Sequence, residues 1–158
     1  MSRLLGGHSF EVPCRVSRHG TAVNTKALVD TGANGFLFID SSFLSKIRSF
    51  ISLEVIPLRR PLLAAGYDGK STTAITDITL LTFTVDKRRF VNTPALILPL
   101  GKHEMIIGRE WLSVFDVIPC ARQRFLSFPA DLPPSPNFGR DILIDQRRLD
   151  STPIEHNH

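Results

Sequence analysis

The sequence predicts an all-β domain with two short helices, its strands closed or nearly closed into a barrel. Three observations predict it. Apolar and β-branched residues recur in short runs, and such runs read as strands. Gly, Asn and Asp turn signals part the runs at close intervals, the pattern of a barrel. Only two stretches carry helical spacing, about 41–48 and 109–115. The 158 residues suit one domain with its own core, and 42% hydrophobic with 22% charged residues is ordinary for a globular fold.

In chain order, Phe10 to Val16 reads as a strand, Ser17 to Gly20 as a turn, and Val23 to Val29 as the returning strand. That hairpin runs into Asp30-Thr31-Gly32-Ala33. Phe36 to Ile39 reads as a short buried strand. Asp40 or Ser41 can cap a helix whose inner face holds Phe43, Leu44 and Ile47. Val55 to Leu63 resumes extended structure. Residues 64–70 carry two Gly and one Asp between strand-like flanks, which predicts a hairpin tip. Leu81, Phe83 and Val85 alternate with polar neighbours as a half-buried strand requires. Asp86 to Arg89 turns the chain, and Phe90-Val91 and Ala95 to Leu98 follow as separate short strands. Met105-Ile106-Ile107-Gly108 leads into the second helix, with Trp111, Leu112 and Phe115 on one face. Arg124 to Phe128 is the last strand. Four prolines between Pro129 and Pro136 then mark a linker or extended tail, so the expected division is a folded domain over 1–128 and a tail over 129–158.

The formal net charge is +4. Residues 1–128 hold 16 Lys/Arg against 10 Asp/Glu, and residues 129–158 hold 3 against 5. The basic clusters, Arg59-Arg60 and Lys87-Arg88-Arg89, are small, and the second falls in a turn where charges face water. Without a recognition motif they do not make nucleic acid the main ligand. Cys14 and Cys120 form no CxxC pair and read as reduced thiols of a cytoplasmic protein. No apolar run has the roughly 20 residues that span a bilayer, and Met1 to Phe10 is too short in apolar residues for a signal peptide. The five histidines lack zincin spacing and read as surface residues. No Gly-x-Ser-x-Gly elbow or phosphate loop is present.

The chemistry points to Asp30-Thr31-Gly32. The tripeptide by itself suits a turn, yet apolar Ala27-Leu28-Val29 precedes it and Ala33 and another apolar run follow. A loop set into the centre of a core needs such flanks. Two carboxylates about 3 Å apart can hydrolyse a peptide without metal or covalent nucleophile, because like charges that close share one proton. The ionised member takes a proton from water and the protonated one donates to the carbonyl oxygen. A Thr beside the Asp offers a bracing hydroxyl, and a Gly lets backbone N–H groups approach the carboxylate.

With the Gly66-Tyr67-Asp68-Gly69 hairpin and Ile106-Ile107-Gly108-Arg109, in that order, the chain resembles the retropepsin family of aspartic proteases over roughly residues 8–128. The stretch Asp30 to Ile47 and the pairing of Ile107-Gly108 with Trp111-Leu112 look most like proteases of Ty3/gypsy-type long-terminal-repeat retrotransposons. The resemblance implies a retropepsin-like acid-protease barrel, one lobe per chain, working as a homodimer on an extended peptide or polyprotein, with no metal, cofactor or membrane. It implies Asp30 as the catalytic aspartate, Thr31 bonding across the two-fold, and Gly32, Ala33 and Asn34 along the substrate groove. Gly66, Tyr67, Asp68 and Gly69 would form the flap tip over the substrate, and Ile107, Gly108 and Arg109 would support the catalytic loop. Family members often carry an acid where Asn34 stands, so here Arg109 can gain a hydrogen bond but no ion pair. Phe36, Phe38 and Leu62 are candidates for pocket lining. The chain has one Asp-Thr-Gly and no second copy, so activity requires two chains. The alternative is an inactive dimerisation or binding module of the same fold.

Overall fold

A computed structural model describes residues 9–65 and 72–136. The chain runs β1 (Phe10–Arg18), β2 (Thr21–Val29), β3 (Leu37–Asp40), α1 (Ser41–Ile47), β4 (Val55–Ala65), β5 (Thr72–Val85), β6 (Arg88–Leu98), β7 (Met105–Ile107), α2 (Arg109–Val114), β8 (Ile118–Cys120) and β9 (Phe125–Ser127).

Six strands close a barrel in the order β1-β2-β7-β3-β6-β5, and β5 returns to β1. The long β5 makes closure possible. Its first part, from Thr72 to Thr79, pairs with β4, and its last, Thr82 to Val85, pairs with β1. β4 therefore stands outside the barrel as one arm of a hairpin. Ala65 pairs with Thr72, so the expected hairpin forms. Its tip, with Gly66, Tyr67, Asp68 and Gly69, lies outside the described residues.

Alternation sets what each wall buries. Phe10, Val12, Cys14 and Val16 point into the barrel, and Glu11, Pro13 and Arg15 point out. β7 is apolar throughout, and β3 is apolar up to its final Asp40, because both their faces are covered. Leu37, Ile39, Met105 and Ile107 join the main core, while Phe38 and Ile106 face the other way into a second cluster with Ile75, Ile78, Leu96 and Leu100. Trp111 is fully buried and packs edge-on against Phe83 and Phe90, at 5.9 and 5.1 Å between ring centroids.

Several sequence expectations change. β1 continues to Arg18, and only His19 and Gly20 make the turn, both with positive φ. Such a two-residue turn matches strand twist, so the strands run to its edge. Residues 88–98 form one strand rather than two: Asn92, at φ +48, is an extra residue in β6 opposite the Leu81/Phe83 step. Thr93 fills the gap by donating its hydroxyl to Phe90 O at 2.9 Å. β3 begins at Leu37, after Phe36. The three-residue strand β8, which pairs with β9, was not foreseen. His103 is half-buried rather than on the surface, its Nδ1 3.6 Å from a Glu11 carboxylate oxygen. Arg88 does not simply face water. It stacks over Phe128 at 4.2 Å and pairs with Asp86 at 2.8 Å. No helix among the described residues is long and apolar enough to cross a membrane.

Candidate active site

Asp30 follows the last residue of β2. Its backbone N–H donates to Ile107 O at 3.0 Å, one step beyond the parallel pairing of Val29 with Ile107. The strand therefore delivers Asp30 to the rim of the barrel beside the end of β7. Val29 and Ile107 are fully buried, which fixes the loop's root. Asp30 as a residue is half-buried, and Thr31 and Gly32 are exposed.

The loop turns on itself at once. Ala33 N–H donates to Asp30 O at 3.0 Å, and Gly32 N–H donates to Asp30 Oδ1 at 2.9 Å. A bond from a backbone N–H orients one carboxylate oxygen. A Cβ at residue 32 would lie 3.3 Å from that oxygen, a tight contact that glycine avoids.

The support comes from α2, through its backbone. Gly108, Arg109 and Glu110 N–H groups donate to Phe36 O, Ala33 O and Gly35 O at 2.8, 2.9 and 2.9 Å. A helix start leaves such donors unpaired, and Gly108 gives no side-chain cap. The carbonyls of the Asp30 loop therefore act as the cap of α2. Gly108 is required by proximity: a Cβ there would fall 2.3 Å from Gly35 O. Arg109 Nη2 donates to Asn34 Oδ1 at 3.1 Å, both side chains being exposed. This is the uncharged contact that the sequence allows.

Thus Asp30, Thr31, Gly32, Ala33 and Asn34 are brought against Ile107, Gly108 and Arg109. Phe36, expected as a pocket-lining candidate, is instead 2% exposed and belongs to the main core. Phe38 and Leu62 lie in the second cluster, where half-buried Ala33, Leu28, Leu58 and Ala64 also pack. One residue, Gly35, went unnoticed in the sequence. Gly35 lets the Phe38 ring lie against the loop, since a Cβ there would meet Phe38 Cζ at 2.4 Å. Its signal was a glycine directly before the apolar run Phe36-Leu37-Phe38-Ile39. Asp40 caps α1 by accepting from Phe43 N–H at 3.0 Å and also accepts from Leu100 N–H at 2.8 Å, tying the helix to the end of β6.

A family model described as aspartyl protease matches residues 12–111. The chain belongs to the aspartyl protease family. Its fold is similar to the retroviral protease-like domain of Ddi1 from Leishmania major, with a TM-score of 0.52 and 16% identity over 83% of this chain and 95% of that one. At that identity the likeness shows the retropepsin-like fold. Comparison with curated proteins found no match.

Proposed function

We propose that this protein is an aspartic endopeptidase in which two copies each supply Asp30. The observation that carries the reading is the half-buried Asp30 at the barrel rim, its carboxylate oriented by Gly32 N–H on a loop braced by α2. One such loop per chain is half of a catalytic pair. Brought about 3 Å apart, the two carboxylates would share a proton and titrate jointly. The ionised one takes a proton from water, the protonated one donates to the scissile carbonyl oxygen, and the tetrahedral intermediate releases the amine after proton return. Thr31 would hydrogen-bond across the two-fold, and the β4–β5 hairpin would close over an extended peptide.

Two surface features support pairing of two copies. Ile118 and Phe125 on the β8–β9 hairpin are 62% and 47% exposed, unusual for large apolar side chains clustered on one small sheet. The outer face of β1 and β2, between Pro13, Lys26, Leu28 and Arg124, leaves a hollow of about 510 Å³, two residues from Asp30. The likeness to Ty3/gypsy-type proteases suggests a retroelement polyprotein as substrate. The free thiols of Cys14 and Cys120 suit a reducing, cytoplasmic setting.

The test is cleavage of an unstructured protein from about pH 4 to 7 by wild type and Asp30→Asn at matched dimer content. Wild type cleaves, the variant does not, and a metal chelator changes neither result. Equal cleavage by both would remove Asp30 from the chemistry.

A further inference from the structure

We propose that Arg60 selects peptide substrates bearing an aspartate or glutamate within a few residues of the scissile bond. The inference rests on the endopeptidase reading and concerns the substrate class of that site.

Burial along β4 alternates. Ile56, Leu58, Arg60, Leu62 and Ala64 are half-buried, while the residues between them, from Val55 to Leu63, are exposed. The apolar members of the half-buried set pack on the second cluster, where Ala33 of the Asp30 loop also packs. Arg60 therefore shares the face of the hairpin arm that packs on the cluster reached by Ala33, whereas Arg59 is exposed.

The local backbone sets Arg60 apart. Pro57 pairs with Asp77, and the next pair is Leu62 with Ile75, so Leu58 to Pro61 oppose Thr76 alone. This wide bulge lies on the outermost strand of the sheet, which pairs only with β5. Pro57 and Pro61 offer no N–H, so this stretch cannot add a regular strand along its edge. Its capacity for recognition lies in side chains.

Arg60 has no hydrogen-bond or ion-pair partner among the described residues. Asp77, across the bulge, sits opposite exposed Pro57 and accepts from the Thr76 hydroxyl. Arg109 on the other side of the loop faces neutral Asn34. No acid among the described residues pairs with Arg60, and its planar fork fits a carboxylate through two parallel hydrogen bonds. An acidic side chain on a bound peptide supplies a partner that none of the described residues provides.

The experiment uses the full chain, a pool of short random peptides, and the same pool with Asp and Glu replaced by Asn and Gln. Wild type should process the acidic pool with kcat/KM about tenfold higher, mostly through KM, as a charged hydrogen bond would give. Arg60→Gln should abolish that preference while leaving cleavage of the amide pool unchanged, and Arg60→Lys should restore part of it. Arg60→Glu should turn the preference towards Lys and Arg. Equal losses on both pools, or an unchanged ratio, overturn the proposal. Binding of both pools to Asp30→Asn, with and without Arg60→Gln, separates the two readings. If wild type cleaves nothing yet Arg60-dependent acidic preference persists in binding, the peptidase reading fails and the Arg60 assignment stands. If binding has no such preference, the Arg60 assignment fails.

Discussion

Gly108 is held to glycine by a carbonyl. The Gly35 oxygen lies where a β-carbon would sit, and the same backbone approach lets three N–H groups of α2 hold the Asp30 loop. Gly108→Ala must push loop and helix apart. It should cost about 1–3 kcal/mol, as overpacking does, measured by urea unfolding, and should reduce activity more than stability alone explains. Asn34→Asp should have little effect on stability. It creates an ion pair with Arg109, but both partners are exposed, so the gain should stay under about 1 kcal/mol and vanish in high salt. Cys14 behaves differently. Burial first, and then the Glu104 carboxylate, push its thiol up to about 12 from 9.0. The thiol is neutral in both states below pH 9.0, so its full contribution to stability is present there. Above that the unfolded chain loses its proton first, and stability drains up to about pH 12, by about 1.4 kcal/mol per pH unit at most. Cys14→Ala should flatten that part of the stability–pH curve. In the native protein at neutral pH a thiol reagent should modify half-exposed Cys120 and spare Cys14, and denaturation should expose both.

Elements were legible where a local rule governs them. Asp40 before Phe43 and Leu44 named both the cap and the inner face of α1, and the structure has both. Positive-φ turns were legible as places but not as lengths. Asp86 and Lys87, at φ +51 and +64, close the β5–β6 hairpin in two residues, where the sequence suggested four, because Arg88 and Arg89 look like turn residues until Arg88 is seen stacking on Phe128. Lys87→Gly should relieve left-handed backbone strain and raise stability by about 0.5–1 kcal/mol in thermal or urea unfolding. β6 read as two strands because Asn92-Thr93-Pro94 resembles a break. A bulge absorbs Asn92, and the Thr93 hydroxyl replaces a ladder bond. β8 was illegible since three residues, Ile118 to Cys120, carry no period. The turn at Asp30 was legible from its aspartate, glycine and apolar flanks, whereas the place of Gly108 and Arg109 behind it came only from the family resemblance. The role of Arg60 was hidden, because only the burial alternation of β4 shows which of two adjacent arginines faces inward.

At the scale of the molecule, the turn-parted strands predicted a closed barrel, but not that β5 closes it on β1. Cys14 to Ser17 meet Thr82 to Val85, residues too distant for any periodic pattern to connect. That closure makes the barrel rigid enough to present a loop at its rim, but one rim carries one aspartate. The account therefore depends on a second copy. Ile118→Asp with Phe125→Asp should weaken self-association, seen by sedimentation, and activity should fall in step while the monomer keeps its fold by circular dichroism. The most direct test is a mixing experiment at fixed total protein, in which wild-type chains are exchanged and equilibrated with Asp30→Asn chains. If the two Asp30 carboxylates form one site, only pairs of wild-type chains cleave, and activity falls as the square of the wild-type fraction. A linear fall would mean that each chain carries a complete site, and would contradict the shared pair.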